Sequence, residues 1–300
     1  MQTPVDQEGP PPMRLLAAPL ALTAAGLAVP GAPPAPLDTA VSAAGLPARY
    51  AAVRAEIAAT GDPAFSRFLA GGRTFLAFDA RGGRAVEVLG DLARADRIAV
   101  LVPGADGSLA HFDGAVWVGG GARALAAEAR RTAPGVRLAV VAWLGYDAPS
   151  TRSPAVLTAG RARDGARALA DLVGGLRRVN ARATVALLCH SYGSVVCGIA
   201  GPRLGGSVTD IALYGSPGTT RADAADVSAT ARVWAARSRG DWTRYVPHVR
   251  VAGLGFGRDP VSPAFGARPF DAGAGAHGAY LRPGTTALRS LTRIALGTAS

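Results

Sequence analysis

The sequence predicts an α/β protein with a mostly parallel central sheet covered by helices on both faces. Three observations carry that prediction. Continuous apolar runs such as "RIAVLVPG", "VRLAVVAWLG" and "ATVALLC" read as strands buried on both faces. Stretches with helical spacing, such as "ARALAAEARRTA", stand between them. The alternation of the two argues for parallel strands joined by crossover helices. A length of 300 residues suits one large α/β domain or two small ones, and no internal repeat is seen.

The elements follow in order. Residues 1–36 read as a disordered start and a signal segment. Met13-Arg14 is a short positive region, and Leu15 to Val29 is apolar but too short to span a bilayer comfortably. Small residues and prolines follow, as at a secretory cleavage site, so the mature chain is expected to begin between Val29 and Pro36. That reading places the protein outside the cell or at the cell envelope. An uncleaved N-terminus would hold it near a membrane. Residues 37–72 read as a helical segment over the main domain, with Asp38 as an N-cap, Gly71-Gly72 as the stop, and Pro47 and Pro63 dividing it. Residues 73–300 read as one domain. "RTFLAFD" and "RAVEVLG" flank a turn and predict a hairpin. Ala162, Ala166, Leu169, Leu172, Val173, Leu176 and Val179 mark a long helix from about Pro154. "GSVVCGIAG" predicts a helix, "SVTDIALYGSPG" and "ARVWAARSRGD" two strands, and "TTALRSLTRIAL" a last helix.

The net charge is +11, yet the chain has no lysine and its arginines are scattered. A nucleic-acid surface needs a basic stripe with interleaved aromatics, so nucleic acid is not an expected partner. The two cysteines, Cys189 and Cys197, form neither a CxxC pair nor part of a zinc set. With one ending a strand and the other on the next helix, they are expected to be small buried hydrophobes rather than a bridge.

The chemistry centres on "ATVALLCHSYGSVVCG", Ala183 to Gly198. An apolar strand ends on Ser191 and a helix begins almost at once. This is the layout of a nucleophile elbow, whose tight turn requires small residues two before and two after the serine. Gly193 fits, and Cys189 stands where glycine is usual. A serine hydroxyl needs a base to take its proton. His277, in the Gly-rich "GAGAHGAY", fits the chain order serine, acid, histidine; His248 is the runner-up, and His190 is expected to pack beside the sheet. Asp241 follows the strand "ARVWAAR" directly, where an α/β sheet places its functional residues, and is favoured over Asp259. The backbone N–H groups of Tyr192 and of Ala105, in "VPGADG", are the candidate oxyanion donors.

The set "LVPGAD", "WLGYDAP", "CHSYGS", "RGDWT", "GRDPVSPAFGA" and "HGAY", between about Ile98 and Tyr280, resembles an α/β-hydrolase family common in actinobacteria and first catalogued as of unknown function. The resemblance implies the α/β-hydrolase fold and a triad of Ser191, Asp241 and His277. It supplies no established substrate. Tyr146 and Asp147 of "WLGYDAP" would lie at a strand end, which suits lining the pocket and a structural role equally, and Tyr146 is carried as the candidate substrate-binding residue. The expectation is an exported serine hydrolase acting on a small or lipid-like acyl substrate, with no metal and no cofactor. An acyltransferase on the same triad, or an inactive cell-surface binding module, are the alternatives.

Overall fold

Eight strands form a single sheet in the computed structural model, which describes residues 37–300. The expected disordered start, the apolar stretch Leu15 to Val29 and the cleavage region lie outside the described residues. In chain order the elements are α1 (Leu46–Ala59), α2 (Ser66–Leu69), β1 (Thr74–Asp79), β2 (Arg84–Leu89), β3 (Arg97–Val102), α3 (Val118–Thr132), β4 (Leu138–Leu144) and α4 (Gly160–Val179). Then follow β5 (Thr184–His190), α5 (Gly193–Ala200), β6 (Val208–Tyr214), α6 (Ala224–Val227), β7 (Arg232–Ala236), β8 (Arg268–Pro269) and α7 (Thr286–Leu296).

The strand order is β1-β2-β4-β3-β5-β6-β7-β8. The β1–β2 and β2–β4 pairs are antiparallel and every other pair is parallel. The period of two along each strand sorts the apolar side chains into two cores. Ile98, Val100, Val141 and Leu187 pack with Leu169, Leu172 and Val195 of α4 and α5. Ala99, Leu101, Val140 and Leu188 face the other way, toward Leu125 of α3, Leu291 of α7 and Val53 of α1. Both faces are covered, which is why the central strands have no polar alternation.

Two helix starts differ from the sequence expectation. Gly45, not Asp38, precedes α1, with Pro47 in its first turn, where a missing N–H costs nothing. Asp38 instead accepts from Ala40 N, and Arg49 of α1 reaches back to the Asp38 carbonyl. The long helix starts at Gly160 rather than Pro154, because Ser153 caps a separate single turn, Pro154–Leu157, that ends on extended Thr158.

Candidate active site

β5 ends at His190, and Ser191 turns the chain with φ +51° before α5 begins at Gly193. A left-handed φ is costly for a residue with a Cβ, so the surroundings must hold it. The Ser191 N–H donates to Tyr214 O of the neighbouring strand at 3.0 Å. The loop after β3 presses in from the other side. A Cβ at Gly193 would come within 2.5 Å of Val102 O, and one at Gly104 within 2.7 Å of Ser191 Cβ. These glycines are required by close approach of backbone.

The cysteines on either side of Ser191 are bonded to each other, contrary to the sequence expectation. Cys189 and Cys197 are joined by a disulfide, with their Cα atoms 6.4 Å apart. The elbow folds α5 back against the end of β5, so two residues eight apart in sequence face one another across the turn. Both cysteines are fully buried.

His277 comes to Ser191 from the loop before α7, with Nε2 2.9 Å from Ser191 Oγ. Its Nδ1 lies 2.9 and 3.0 Å from the two carboxylate oxygens of Asp241. An ionised carboxylate only accepts, so Nδ1 carries the proton and Nε2 is left to accept from the serine. Asp241 follows β7 and Gly240 and starts a single helical turn, Trp242–Tyr245. Thr243 gives its N–H and its hydroxyl to Oδ1, both at 2.8 Å, and the Tyr280 hydroxyl donates to Oδ2 at 2.5 Å. Burial resists ionisation of Asp241, but the hydrogen bonds from His277, Tyr280 and Thr243 outweigh it and hold the carboxyl well below its usual range.

Three supporting residues carried no signal in the sequence that assigned their roles. Thr243 and Tyr280 fall in the motifs "RGDWT" and "HGAY", but their contact with Asp241 exists only in the folded chain. The third is His190. It stacks on Tyr214, as packing beside the sheet required, and its Nε2 also donates to the His277 carbonyl at 2.9 Å. Burial and the neighbouring His277 push the His190 pKa down to about 3, so the ring is a neutral donor.

The runner-up residues sit together elsewhere. Asp259 accepts from Arg237 at 2.5 Å and lies 3.3 Å from His248 Nε2, a cluster that pins the loop between them. Neither residue reaches Ser191 or His277.

Tyr146 is a correction. It does not line the cavity beside Ser191 but lies buried beneath the β3 loop, donating to Pro103 O at 2.8 Å and stacking on Trp143. Gly165 of α4 leaves room for its ring, since a Cβ there would come within 3.0 Å of it. The loop is clamped further by Asp106, whose N–H donates to Pro149 O and whose carboxylate accepts from Thr151 N. Asp147 is exposed and pairs with Arg161.

Ser191 and His277 open into a cavity of about 310 Å³. Its wall is chiefly apolar, with Val116, Trp117, Leu157, Pro217, Trp242, Phe256 and Leu281. Ala105 and Tyr192 also line it, and the Tyr192 hydroxyl is turned away to Thr158 O at 2.7 Å. Ala105 stands in the loop after β3 and Tyr192 directly precedes α5, where backbone N–H groups lack partners within a strand or helix. The helical segment before β1 contributes nothing to the lining. A wider groove of about 670 Å³ is lined by Arg73, Glu87, Asp113 and Arg123 and shares no residue with the first. Among the described residues no cluster of His, Cys, Asp and Glu is placed to hold a metal ion.

A family model described as alpha/beta hydrolase matches residues 79–251, more than half of the chain. The chain belongs to the alpha/beta hydrolase family. This alpha/beta hydrolase is 31% identical over 251 residues to the uncharacterized protein Rv2079 of Mycobacterium tuberculosis, covering 72% of the chain and 37% of that protein. It is 35% identical over 148 residues to the uncharacterized protein Rv0963c of the same species, covering 48% of the chain and 55% of that protein. The chain thus spans about two fifths of the length of the first of these relatives. Among solved structures, the α/β serine hydrolase XC6422 of Xanthomonas campestris aligns over 75% of this hydrolase and 93% of its own chain, at 17% identity and a TM-score of 0.43. The esterase LipW of Mycobacterium marinum aligns over 86% and 90%, at 16% identity and a TM-score of 0.41.

Proposed function

We propose that this alpha/beta hydrolase is an exported serine esterase that cleaves acyl bonds through an acyl-enzyme. The observation that carries the reading is the hydrogen-bonded line Ser191–His277–Asp241 at the mouth of an apolar cavity. In this mechanism Ser191 Oγ attacks the acyl carbonyl while His277 Nε2 takes its proton. The carbonyl oxygen gains negative charge and is held by the N–H groups of Tyr192 and Ala105. Asp241 keeps the imidazole in the tautomer that can accept and stabilises the imidazolium that results. The leaving alcohol departs with the proton from His277, and the acyl group stays on Ser191. Water then attacks the ester, giving its proton to His277, and the acid is released with the serine restored. The apolar wall suits the hydrocarbon part of an acyl group.

Export is supported by two independent features, the signal-like N-terminus and a disulfide beside the nucleophile, since disulfides persist in oxidising compartments. The chemistry is tested with a fluorophosphonate probe and a nitrophenyl ester. Wild-type protein labels and turns over, whereas Ser191→Ala does neither, with kcat reduced on the order of 10⁴ or more. Turnover by folded Ser191→Ala within a few-fold of wild type would remove the serine from the mechanism.

A further inference from the structure

Eight large apolar side chains are exposed among the described residues, and they are not scattered. Leu157, Trp242, Tyr245, Val249, Val251 and Leu254 all belong to two chain segments that meet at the cavity. Gly255 N–H donates to Leu157 O at 2.9 Å, and Thr158 pairs with Leu254, so the two segments form one collar. Leu157 and Trp242 also line the cavity wall, which makes the collar continuous with its interior. Tyr245 is 80% exposed and Val251 68%, values that a solvent-facing apolar side chain rarely holds in company with five others.

The charges of the collar have one sign. Residues 242–258 contain Arg244, Arg250 and Arg258 and no acidic residue, and residues 150–160 contain Arg152 and none either. Arg152, Arg244 and Arg250 are exposed. A second copy of the chain docked symmetrically here would set arginine against arginine, which costs free energy. An anionic lipid surface offers what both features want: phosphate charges for the arginines and, beneath them, hydrocarbon for the aromatic and valine side chains.

We propose that this collar docks on the surface of anionic phospholipid, with the cavity mouth facing the lipid. The assignment rests on the exposed collar and its charge, and it holds whether or not Ser191 is the nucleophile. It makes the folded domain, rather than the N-terminal apolar stretch, the part that addresses the lipid.

Trp242, half exposed in the collar, is the reporter. Full-length Ser191→Ala protein, which leaves the lipid uncleaved, is mixed with phosphatidylcholine vesicles with and without phosphatidylglycerol, their acyl chains brominated. The emission assigned to Trp242 by comparison with Trp242→Phe is quenched by the anionic vesicles and recovers in high salt. The lipid concentration for half-quenching rises about tenfold or more in Tyr245→Ser/Val251→Ser and in Arg244→Gln/Arg250→Gln. With Ser191 restored, both double variants keep wild-type turnover of a short soluble ester, which separates this proposal from the catalytic one. Vesicle pelleting without Trp242 quenching would assign binding to the N-terminus and overturn the proposal. So would quenching that both double variants retain, or a Trp242 change that tracks protein concentration and dimer formation without lipid.

Discussion

Gly215 offers a perturbation of the Asp241–His277 pair by a single methyl group. It follows β6 with φ +58°, its N–H bonded to Ala236 O at 3.1 Å. An ideal Cβ there would lie 2.8 Å from Asp241 Oδ2 and 3.1 Å from His277 Nδ1. Carbon and oxygen do not approach so closely, and relief requires a shift of roughly half an ångström. Asp241 cannot retreat freely, because Thr243 and Tyr280 hold both its oxygens. The shift therefore falls on the bonds between Nδ1 and the carboxylate. A misplacement of about 1 Å in a catalytic group can cost about 10²-fold, so Gly215→Ala should lower kcat roughly 10- to 100-fold. KM should move little, since the methyl group points at the pair and not into the cavity. The left-handed backbone adds about 1–2 kcal/mol of destabilisation. Gly205 supplies the control, with φ +59° and no neighbouring atom within 4 Å of where a Cβ would stand. Gly205→Ala should show the stability loss and keep its kcat. Steady-state turnover of a soluble nitrophenyl ester and thermal melting of both variants decide the matter. If Gly215→Ala retains kcat within about two-fold, the geometry of the Asp241–His277 pair does not limit the reaction and the argument fails.

Three further outcomes are expected. Asp241→Asn should lose on the order of 10³- to 10⁴-fold in kcat, because an amide facing Nδ1 favours the wrong tautomer, while Asp259→Asn should lower the melting temperature and keep kcat; the reverse pattern would reassign the acid. His190 should make the protein acid-sensitive: its folded pKa, about 3, lies below the ordinary 6.5, so the unfolded chain binds the proton first. Its stabilising effect is full above pH 6.5 and fades as pH falls, by about 2–3 kcal/mol at pH 4.5, a window above that in which Asp241 protonates. Urea unfolding at several pH values should show this slope in wild type and a shallower one in His190→Gln. Removing the disulfide as Cys189→Ala/Cys197→Ala should cost about 2.5 kcal/mol by loop-closure entropy for its eight-residue separation, read as a lower urea midpoint; an unchanged midpoint would make the bridge neutral.

Local pattern and chain order determined much of this protein. Apolar runs and helical spacing predicted the sheet and its covering helices, because burial on two faces leaves no polar alternation in a strand. The elbow was legible because its requirement is local, with small side chains flanking a serine between a strand and a helix. His277 was reachable from chain order and its Gly-rich loop, and Asp241 from its position after a strand; the fold sets His277 between Ser191 and Asp241.

What only the tertiary structure decided involves direction and approach between segments far apart in sequence. Tyr146 does lie at a strand end, but a fully apolar strand carries no alternation to say which way the next side chains turn, and this one lies beneath the loop it braces. Cys189 and Cys197 belong to a strand end and a helix, yet the reversal at Ser191 brings them together. Thr243, Tyr280 and His190 hold the site through contacts that become definite only once β5, β7 and the last loop are side by side. A sequence records the period of side chains along one segment. The meeting of two segments depends on the packing of the whole chain, and it is that packing which sets Asp241 against His277 and Asp259 against Arg237.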